Sequence, residues 1–364
     1  MKKRILFLIH DLQCGGAERV LVNLVNSLDE EKYDITVQSL FDVGILRRNF
    51  NDNINYIGGF KKMFRGNVTL CKLFTPKQLC KMLIKNDYDL AVSFLEGPCC
   101  RILSEYEGKK IAWIHIEHDS EESISRPFRS FDEAKNCYNE FDKIVCVAKT
   151  VEKNFNLFFN LEDKTQVIYN MIDKEAILEA SEKEQDLIIP SDEYFNIVSV
   201  GRLVNGNKGF DRLIRIHNKL IDEGINNKLY IIGEGADRPK LEALIEDDNV
   251  VLTGFVENPY NLVRAADLFV CSSHKEGFST AVTEALILGV PVISTDVSGA
   301  RELINNGCGC VVSGDNQEQA LYEEIKLTLS DKERLEEYKM KAQLRGTWIS
   351  PEKTINQCEE LFEL

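Results

Sequence analysis

The chain has 364 residues, of which 44% are hydrophobic and 28% are charged, and its formal net charge is -15. This composition is typical of a globular protein that builds a core without disulfide or metal staples. The negative charge argues against a nucleic-acid-binding protein. The 11 cysteines are scattered without partner pairs at zinc spacing, so we interpret them as reduced thiols of a cytosolic protein.

The N-terminus predicts a buried strand followed by a helix. The apolar run 5–9 is too short for the hydrophobic region of a signal peptide or for a membrane span. Over residues 17–28, apolar side chains recur at helical spacing. Cys14, Gly15 and Gly16 lie between these elements, where glycines let the backbone approach an anionic ligand, although a tight turn alone also explains them.

Strand and helix patterns alternate along both halves of the chain, which predicts parallel sheets covered by helices on both faces. The polar, acidic segment 174–193, which contains Pro190, interrupts this rhythm and predicts a hinge. We therefore expect an α/β protein of two doubly wound, Rossmann-like domains that face a central cleft. The predicted strands are residues 4–9, 35–41, 90–94, 110–115, 143–147 and 167–169, then 196–200, 228–232, 250–252, 268–272, 290–295 and 310–312.

The segment from Phe60 to Lys85 combines basic and apolar side chains. Cations recur from Arg47 onward, and Asp52 is the only acidic residue between Arg47 and Asp87. Cations interleaved with apolar residues suit an anionic membrane surface, with a solvated helix face and a loop as the alternative. The cations are Arg47, Arg48, Lys61, Lys62, Arg65, Lys72, Lys77, Lys81 and Lys85, and the apolar residues are Phe60, Met63, Phe64, Leu70, Leu73 and Phe74.

The segment from Glu276 to Glu284 is the most informative motif and follows a predicted buried strand. A helix predicted to begin near Ser279 points free backbone N–H groups forward, which makes an anion site. Carboxylates on both sides of this helix start do not suit a bare anion. They suit a ligand with sugar hydroxyls at both ends and a diphosphate between them, so the motif predicts a nucleotide-sugar site.

Two cations and a glycine-rich turn follow other strand ends of the second half. Arg202 and Lys208 can neutralise a diphosphate there, with a solvated surface pair as the alternative. Gly233 and Gly235 lie between a strand and a helix and allow close backbone approach to a ligand. The sixth residue of that run is Arg238 rather than glycine, which argues against a dinucleotide-binding fingerprint.

These segments together resemble the retaining GT-B glycosyltransferases of family 4, which carry two glutamates separated by seven residues. The matching residues are 276–279, 284–286, Gly289, 291–293 and 299–302, and the resemblance covers most of the chain. It implies a GT-B fold with an acceptor-binding domain over residues 1–185 and a donor-binding domain over residues 190–348. Residues 349–364 would form a helix that crosses back to the first domain.

The resemblance also implies roles for individual residues. Glu276 would hold hydroxyls of the donor sugar, Glu284 the ribose, and Arg202 with Lys208 the diphosphate. His115, after a strand of the first domain, would contact the donor sugar. The other donor-binding residues that it implies are Gly15, Gly16, His118, Gly233, Gly235, Arg238, Phe255, Val256, Gly277, Phe278, Ser279 and Thr280.

The implied reaction moves a hexose or N-acetylhexosamine from a nucleoside diphosphate, expected to be UDP, to a glycan or lipid-linked glycan in cell-surface polysaccharide synthesis. The departing phosphate would take the acceptor proton on the same face, so the protein would mainly orient and stabilise charge. We expect a cytoplasmic protein, peripheral on the inner face of the membrane if the basic segment binds lipid.

No metal or other cofactor is expected. Asp87 and Asp89 have a spacing that can hold a divalent metal, but they stand between a basic helix and a strand, so we interpret them as loop residues. His115 and His118 lack a further cluster of ligands nearby.

Two other functions fit parts of the pattern. A sugar-nucleotide epimerase or hydrolase of the same fold would release nucleotide without an acceptor. A non-catalytic nucleotide-sugar-binding subunit is the other alternative, and the four intact residues Glu276, Glu284, Arg202 and Lys208 argue against it.

Overall fold

The structure is a computed structural model that describes residues 1–13, 15–64, 66–183, 193–204 and 206–364. Cys14, Arg65 and Pro190, which the sequence analysis singled out, lie outside the described residues. The chain divides into two units, Met1–Ile172 with Pro351–Leu364 and, separately, Asp173–Ser350.

A parallel sheet in the order β3-β2-β1-β4-β5-β6-β7 forms the centre of the first unit. Its strands are β1 (Lys3–Ile9), β2 (Tyr33–Ser39), β3 (Asn55–Ile57), β4 (Leu90–Ser93), β5 (Lys109–Ile114), β6 (Lys143–Cys146) and β7 (Thr165–Val167). The helices are α1 (Gly16–Ser27), α2 (Asn67–Cys71), α3 (Pro76–Leu83), α4 (Pro98–Leu103), α5 (Glu121–Ser125), α6 (Phe131–Asn139) and α7 (Lys149–Phe159), with a 3₁₀ turn at Leu46–Asn49.

The second unit contains a parallel sheet in the order β10-β9-β8-β11-β12-β13. Its strands are β8 (Phe195–Val200), β9 (Asn227–Ile232), β10 (Val250–Gly254), β11 (Leu268–Cys271), β12 (Val292–Thr295) and β13 (Gly309–Val312). The helices are α8 (Lys174–Ser181), α9 (Phe210–Asp222), α10 (Arg238–Glu242), α11 (Tyr260–Arg264), α12 (Thr280–Ile287), α13 (Ala300–Leu303), α14 (Gln317–Ser330) and α15 (Lys332–Trp348).

Central strands of both sheets are apolar runs because both of their faces are covered. Ile5 to Ile9 of β1 are fully buried, and Leu268 and Val270 of β11 lie in the core of the second unit. The strand order reverses between β1 and β4 and between β8 and β11. Since parallel crossovers are right-handed, helices on the two sides of each reversal cover opposite faces, which confirms the predicted α/β, doubly wound architecture.

The last helix, α16 (Pro351–Phe362), belongs to the first unit. The buried ring of Phe362 makes edge contacts with Phe7 of β1, at 5.9 Å between centroids, and with Tyr33 of β2, at 6.2 Å. Lys32 Nζ lies 2.8 Å from Glu359 Oε2 on the surface. Aromatic packing is the larger of these contributions because an exposed ion pair stabilises little.

Each predicted strand is present, with its ends shifted by one or two residues. Strand β3 was not predicted, because this short edge strand is mostly exposed and shows no apolar pattern. Of the predicted hinge 174–193, residues 184–192 lie outside the described residues, and the beginning forms helix α8, which Asp173 caps by accepting a hydrogen bond from Ala176 N at 2.9 Å. Helix α8 packs in the second unit, since Asn258 Nδ2 donates to Ala180 O at 2.8 Å.

A buried arginine ties the basic segment to the first unit. Arg101 on α4 donates from Nε and Nη2 to both carboxylate oxygens of Glu133 on α6, each at 3.0 Å. Its remaining donors reach Cys71 O at 2.8 Å and Phe74 O at 2.9 Å. Burial by itself would raise the pKa of Glu133, but hydrogen bonds from Arg101 and from Arg129 N hold that pKa below its ordinary value.

We predict that Arg101→Ala lowers the free energy of unfolding by about 3–5 kcal/mol, because it removes the cationic partner of the Glu133 carboxylate and the donors to two carbonyls. Urea unfolding followed by circular dichroism measures the loss. Lys109→Ala is the control, since Lys109 pairs with Asp142 at 3.0 Å on the surface, and its cost is about 0–1 kcal/mol. Equal losses in the two variants would contradict this assignment.

Candidate active site

The loops that follow β8 and β11 lie side by side in the second unit. Phe269 of β11 pairs with Val198 of β8, and the strand order reverses between these two strands. Open α/β sheets bind ligands at the carboxyl ends of strands at such a reversal. The β8 loop carries Arg202 and Lys208, and the β11 loop carries Glu276, so the fold brings these predicted residues to one edge.

Lys208 and Glu276 form the central contact of this edge. Lys208 Nζ lies 2.6 Å from Glu276 Oε1, and both side chains are mostly shielded from solvent. Ser273 Oγ donates to the same carboxylate oxygen, also at 2.6 Å. Burial alone would lower the pKa of Lys208, but the Glu276 carboxylate raises that pKa above its ordinary value. Lys208 therefore keeps its positive charge at neutral pH.

Helix α12 begins directly beyond this contact, as predicted. Ser279 is its N-cap, and the hydroxyl accepts a hydrogen bond from Val282 N. Gly277 and Phe278 are buried, Thr280 is half-buried, and Glu284 lies on the helix one turn further along. The first N–H groups of α12 are thus set close to the lysine-bound carboxylate, and they favour an anion in front of the helix.

The described residues of the loop between β8 and α9 are held in place from several sides. Ser272 Oγ donates to Lys208 O at 2.8 Å, His274 N donates to Asn207 O at 2.7 Å, and Gly206 N donates to Asp237 Oδ2 at 3.0 Å. Arg202 is exposed on the same loop. A cavity of about 220 Å³ lies beneath it, lined by Arg202, Leu203, Lys208, Phe210, Asp237, Lys240, Leu241 and Leu244, among others.

The glycine-rich turn after β9 packs against this loop. A Cβ on Gly233 would lie 1.9 Å from Gly201 O, and one on Gly235 would lie 2.3 Å from Leu203 O. These glycines therefore allow two loops to touch. Arg238 donates to Glu234, Glu242 and the carbonyl of Leu252, so its guanidinium stabilises its own turn.

Beyond β10, the predicted donor-binding residues Phe255 and Val256 include an exposed aromatic side chain. Phe255 is 53% exposed, and Val256 is half-buried beside it. Gly233 N donates to Gly254 O at 3.0 Å, which places this segment beside the turn after β9. A flat exposed ring at a strand end can stack on a base.

The candidates of the first unit lie at the carboxyl ends of β1 and β5. Gly15 is the N-cap of α1, and Gly16 is its exposed first residue. His115 follows β5 and is buried, and its backbone N–H donates to Glu96 Oε2 at 2.8 Å. Asn154 clamps the backbone of His118, donating to its carbonyl at 2.9 Å and accepting from its N–H at 2.8 Å.

Burial lowers the pKa of His115 to about 3, so its imidazole is neutral throughout the physiological range. Its Nε2 is buried and has no hydrogen-bond partner within the described parts of the chain. A neutral imidazole with an unpaired nitrogen can hydrogen-bond a ligand but cannot supply charge.

Sequence reasoning missed the residues that orient the predicted ones. Ser273 holds the Glu276 carboxylate, Asp237 holds the Gly206 backbone, and Asp11 pairs with His10 at the end of β1. Their positions just beyond strand ends were the available signal. Asp89 accepts a hydrogen bond from Arg4 N at 2.8 Å, and the described residues contain no cluster of three or more metal-ligating side chains.

We predict that Gly209→Ala is more destabilising than Gly206→Ala, although both glycines have left-handed backbones with φ of 62° and 63°. A Cβ at 209 would lie 2.1 Å from Ser272 O, whereas one at 206 meets no atom within 4 Å. Gly206→Ala therefore costs about 1–2 kcal/mol for its backbone alone, and Gly209→Ala adds a clash that displaces Lys208. Urea unfolding of the two variants measures the difference, and identical losses would contradict the packing argument.

Two family descriptions match the chain. "Glycosyltransferase Family 4" covers residues 14–176, and "Glycosyl transferases group 1" covers residues 194–331. The two matches together reach into both structural units.

Curated relatives include the Campylobacter jejuni N-acetylgalactosamine-N,N'-diacetylbacillosaminyl-diphospho-undecaprenol 4-alpha-N-acetylgalactosaminyltransferase. It is 37% identical over 189 residues, which are 50% of this chain and 49% of that protein. The lipopolysaccharide core biosynthesis glycosyltransferase LpsD of Rhizobium meliloti is 27% identical over 296 residues, 78% of this chain and 76% of LpsD. The match thus spans about half the length of the Campylobacter relative.

Among solved structures, Anabaena HepE in complex with UDP and glucose has a TM-score of 0.79 at 20% identity, and the match covers 99% of both chains. This similarity shows a shared fold of two Rossmann-like domains. The resemblance inferred from residues 201–302 is confirmed by the two family matches, and the chain belongs to the GT-B glycosyltransferases of the family 4, group 1 type.

Proposed function

We propose that the chain is a retaining glycosyltransferase that moves a hexose or N-acetylhexosamine from a UDP-sugar to a glycan or lipid-linked glycan in cell-surface polysaccharide synthesis. The contact between Lys208 and Glu276 carries this proposal, because it sets a cation and a carboxylate in front of a helix N-terminus. UDP in the HepE complex, and a glycan on diphospho-undecaprenol as the substrate named for the Campylobacter relative, support the donor and acceptor classes.

Donor binding would exchange the partner of Lys208. In the structure, its ammonium group pairs with Glu276, and a diphosphate is a stronger partner because it carries more negative charge. The freed carboxylate of Glu276, still held by Ser273, would accept hydrogen bonds from hydroxyls of the transferred sugar. Arg202 and the first N–H groups of α12 would take the remaining phosphate charge.

The other predicted contacts extend along the donor. Glu284 lies one turn into α12, where its carboxylate would hold the ribose hydroxyls. Phe255 would stack on the uracil. In the first unit, His115 would hydrogen-bond the donor sugar as a neutral imidazole.

Retention of configuration would follow from a reaction on one face of the sugar. The bond from the anomeric carbon to the diphosphate oxygen breaks, and the acceptor hydroxyl attacks from the same side. Its proton passes to the departing phosphate, so no protein nucleophile takes part. Lys208 and Arg202 stabilise the negative charge that develops on UDP. In this mechanism that stabilisation is the largest contribution of the protein to the rate of the reaction. Because these cations neutralise the diphosphate, we propose that no metal is needed.

The acceptor side of the proposal includes a membrane surface. Phe60, Met63, Phe64, Leu70 and Leu73 are exposed in the same segment as the lysines at 61, 62 and 72. Exposed apolar groups among cations can insert at an anionic interface. None of the described helices is long and apolar enough to cross a bilayer. We propose peripheral contact with the cytoplasmic face of the cell membrane.

The proposal is tested by incubating the chain with UDP-sugars and a panel of lipid-diphosphate-linked and free glycans. We predict sugar transfer that persists in EDTA and falls by about 100-fold or more in Lys208→Ala and in Arg202→Ala, while both variants keep the far-ultraviolet circular dichroism spectrum of the unchanged chain at the assay temperature. UDP release without acceptor product would indicate the hydrolase or epimerase alternative. UDP-sugar binding without any turnover would indicate a non-catalytic subunit.

We predict different effects for the two glutamates of the motif. Glu284→Gln should weaken UDP binding and raise KM, because the ribose hydroxyls change little during the reaction. Glu276→Gln should not weaken UDP binding, because it removes the carboxylate that competes with the diphosphate for Lys208, and it should lower kcat, because the sugar ring gains positive charge only in the transition state. Calorimetry with UDP beside steady-state kinetics measures both. The assigned roles are reversed if Glu276→Gln abolishes UDP binding while Glu284→Gln retains it.

A further inference from the structure

A histidine and an aspartate at the carboxyl end of β1 hydrogen-bond each other. His10 Nδ1 lies 2.7 Å from Asp11 Oδ2, and Asp11 Oδ1 accepts a hydrogen bond from Gln13 N at 3.0 Å. Both carboxylate oxygens are therefore engaged. Burial alone would raise the pKa of Asp11, but His10 and the Gln13 backbone hold that pKa below its ordinary value, so Asp11 is ionised at neutral pH.

This pair orients the imidazole toward a ligand. An imidazole tautomer that donates its Nδ1–H to a carboxylate such as Asp11 carries its lone pair at Nε2. The His10 side chain is 23% exposed, and across the described residues its ring makes no hydrogen bond other than the one to Asp11. A fixed, accessible acceptor atom at a strand end suits a hydroxyl group.

His10 also begins a row of aromatic rings across three neighbouring strands. The Phe41 ring centroid lies 5.0 Å from that of His10, and the Phe60 and Phe64 centroids lie 6.0 Å and 6.1 Å from that of Phe41. Phe41 N donates to His10 O, and Phe60 N donates to Leu40 O, both at 2.9 Å, so the row is fixed to the backbone. Phe60 is 59% exposed and Phe64 is 44% exposed.

The chemistry changes along this row. One end offers a hydrogen-bond acceptor, the middle ring, Phe41, is only 6% exposed and supports the rings around it, and the far end offers exposed aromatic side chains beside Lys61 and Lys62. A sugar presents hydroxyls and apolar C–H faces, a diphosphate suits the lysines, and a lipid chain suits the exposed rings. Binding sites commonly combine an aromatic wall with a few placed polar groups.

We propose that His10, Asp11, Phe41, Phe60 and Phe64 form the binding site for the sugar and first lipid groups of a lipid-diphosphate-linked acceptor. His10 Nε2 accepts a hydrogen bond from one hydroxyl of the acceptor sugar, and Asp11 positions the ring. His10 is a binding and specificity residue here, since the proton of the attacking hydroxyl still passes to the departing phosphate. This inference rests on the proposed glycosyltransferase function and names its acceptor site.

The test measures binding of two probes in detergent micelles, a polyprenyl diphosphate that carries one N-acetylhexosamine and the same lipid without sugar. We expect His10→Ala to weaken binding of the sugar-bearing lipid by about tenfold, the effect of about 1.4 kcal/mol, and to leave the sugar-free lipid unchanged. Phe60→Ala should weaken both. Leu157→Ala, at an exposed apolar residue of α7, is the matched control and should change neither.

Thermal unfolding and UDP calorimetry accompany each variant and should match the unchanged chain. His10→Gln, which keeps an amide oxygen near the position of Nε2, should restore part of the discrimination, whereas a purely structural histidine would show no dependence on the sugar. The inference is overturned if the unchanged chain binds both lipids equally or neither, or if His10→Ala retains full affinity for the sugar-bearing lipid. If the lipid experiments overturn the inference but the chain binds UDP and transfers sugar to a free glycan, the proposed function is still supported. If the chain binds no UDP-sugar, the proposed function itself is wrong.

Discussion

The contact between Lys208 and Glu276 is the constraint around which the second unit is arranged. The two residues are far apart in sequence, and they meet because β8 and β11 are neighbours where the strand order reverses. A half-buried ammonium group needs an anionic partner, since removing that partner leaves an uncompensated charge. Glu276 supplies the partner in the structure, and in the proposed function a diphosphate replaces it.

In the proposed exchange only the partner of the Lys208 ammonium group changes, because hydrogen bonds hold the residues around it. Ser273 holds the glutamate, Ser272 and Asp237 hold the loop that carries Lys208, and Ser279 fixes the beginning of α12. A pre-organised set of donors does not need to reorganise when charge develops, which is why such sites stabilise transition states. The glycines at 209, 233 and 235 allow these loops to pack at distances that a Cβ would prevent.

The first unit repeats the same principle with different chemistry. Its strand order also reverses at β1, and the residues beyond β1 are His10 and Asp11 rather than a lysine. The basic and apolar segment that follows β3 is anchored through Arg101 of α4. Arg101 donates two hydrogen bonds to the backbone of this segment and two to Glu133 of α6. An exposed apolar segment with few neighbours of its own needs such an anchor to keep a defined position.

Much of this organisation could be predicted from sequence because the signals are local. Continuous apolar runs predicted the central strands, and the segment from Glu276 to Glu284 predicted a helix that begins near Ser279, beyond a strand end. Strand β3 lacked such a signal, since an edge strand with little burial needs no apolar pattern. Three contacts depend on how the side chains pack in the folded chain, which the periodicity of a sequence does not encode. They are Arg101 with Glu133, Lys208 with Glu276, and Ser273 with the Glu276 carboxylate. His10 and Asp11 are adjacent in sequence, yet their pairing depends on side-chain rotamers that the sequence leaves open.

A crystal structure of the chain with a non-hydrolysable UDP-sugar tests the central claim most directly. We predict that Lys208 Nζ lies within hydrogen-bond distance of a diphosphate oxygen, and that Glu276 faces the sugar while Ser273 still donates to it. A nucleotide bound at another strand edge, with Lys208 and Glu276 still in contact, would contradict the assignment of this site to the donor.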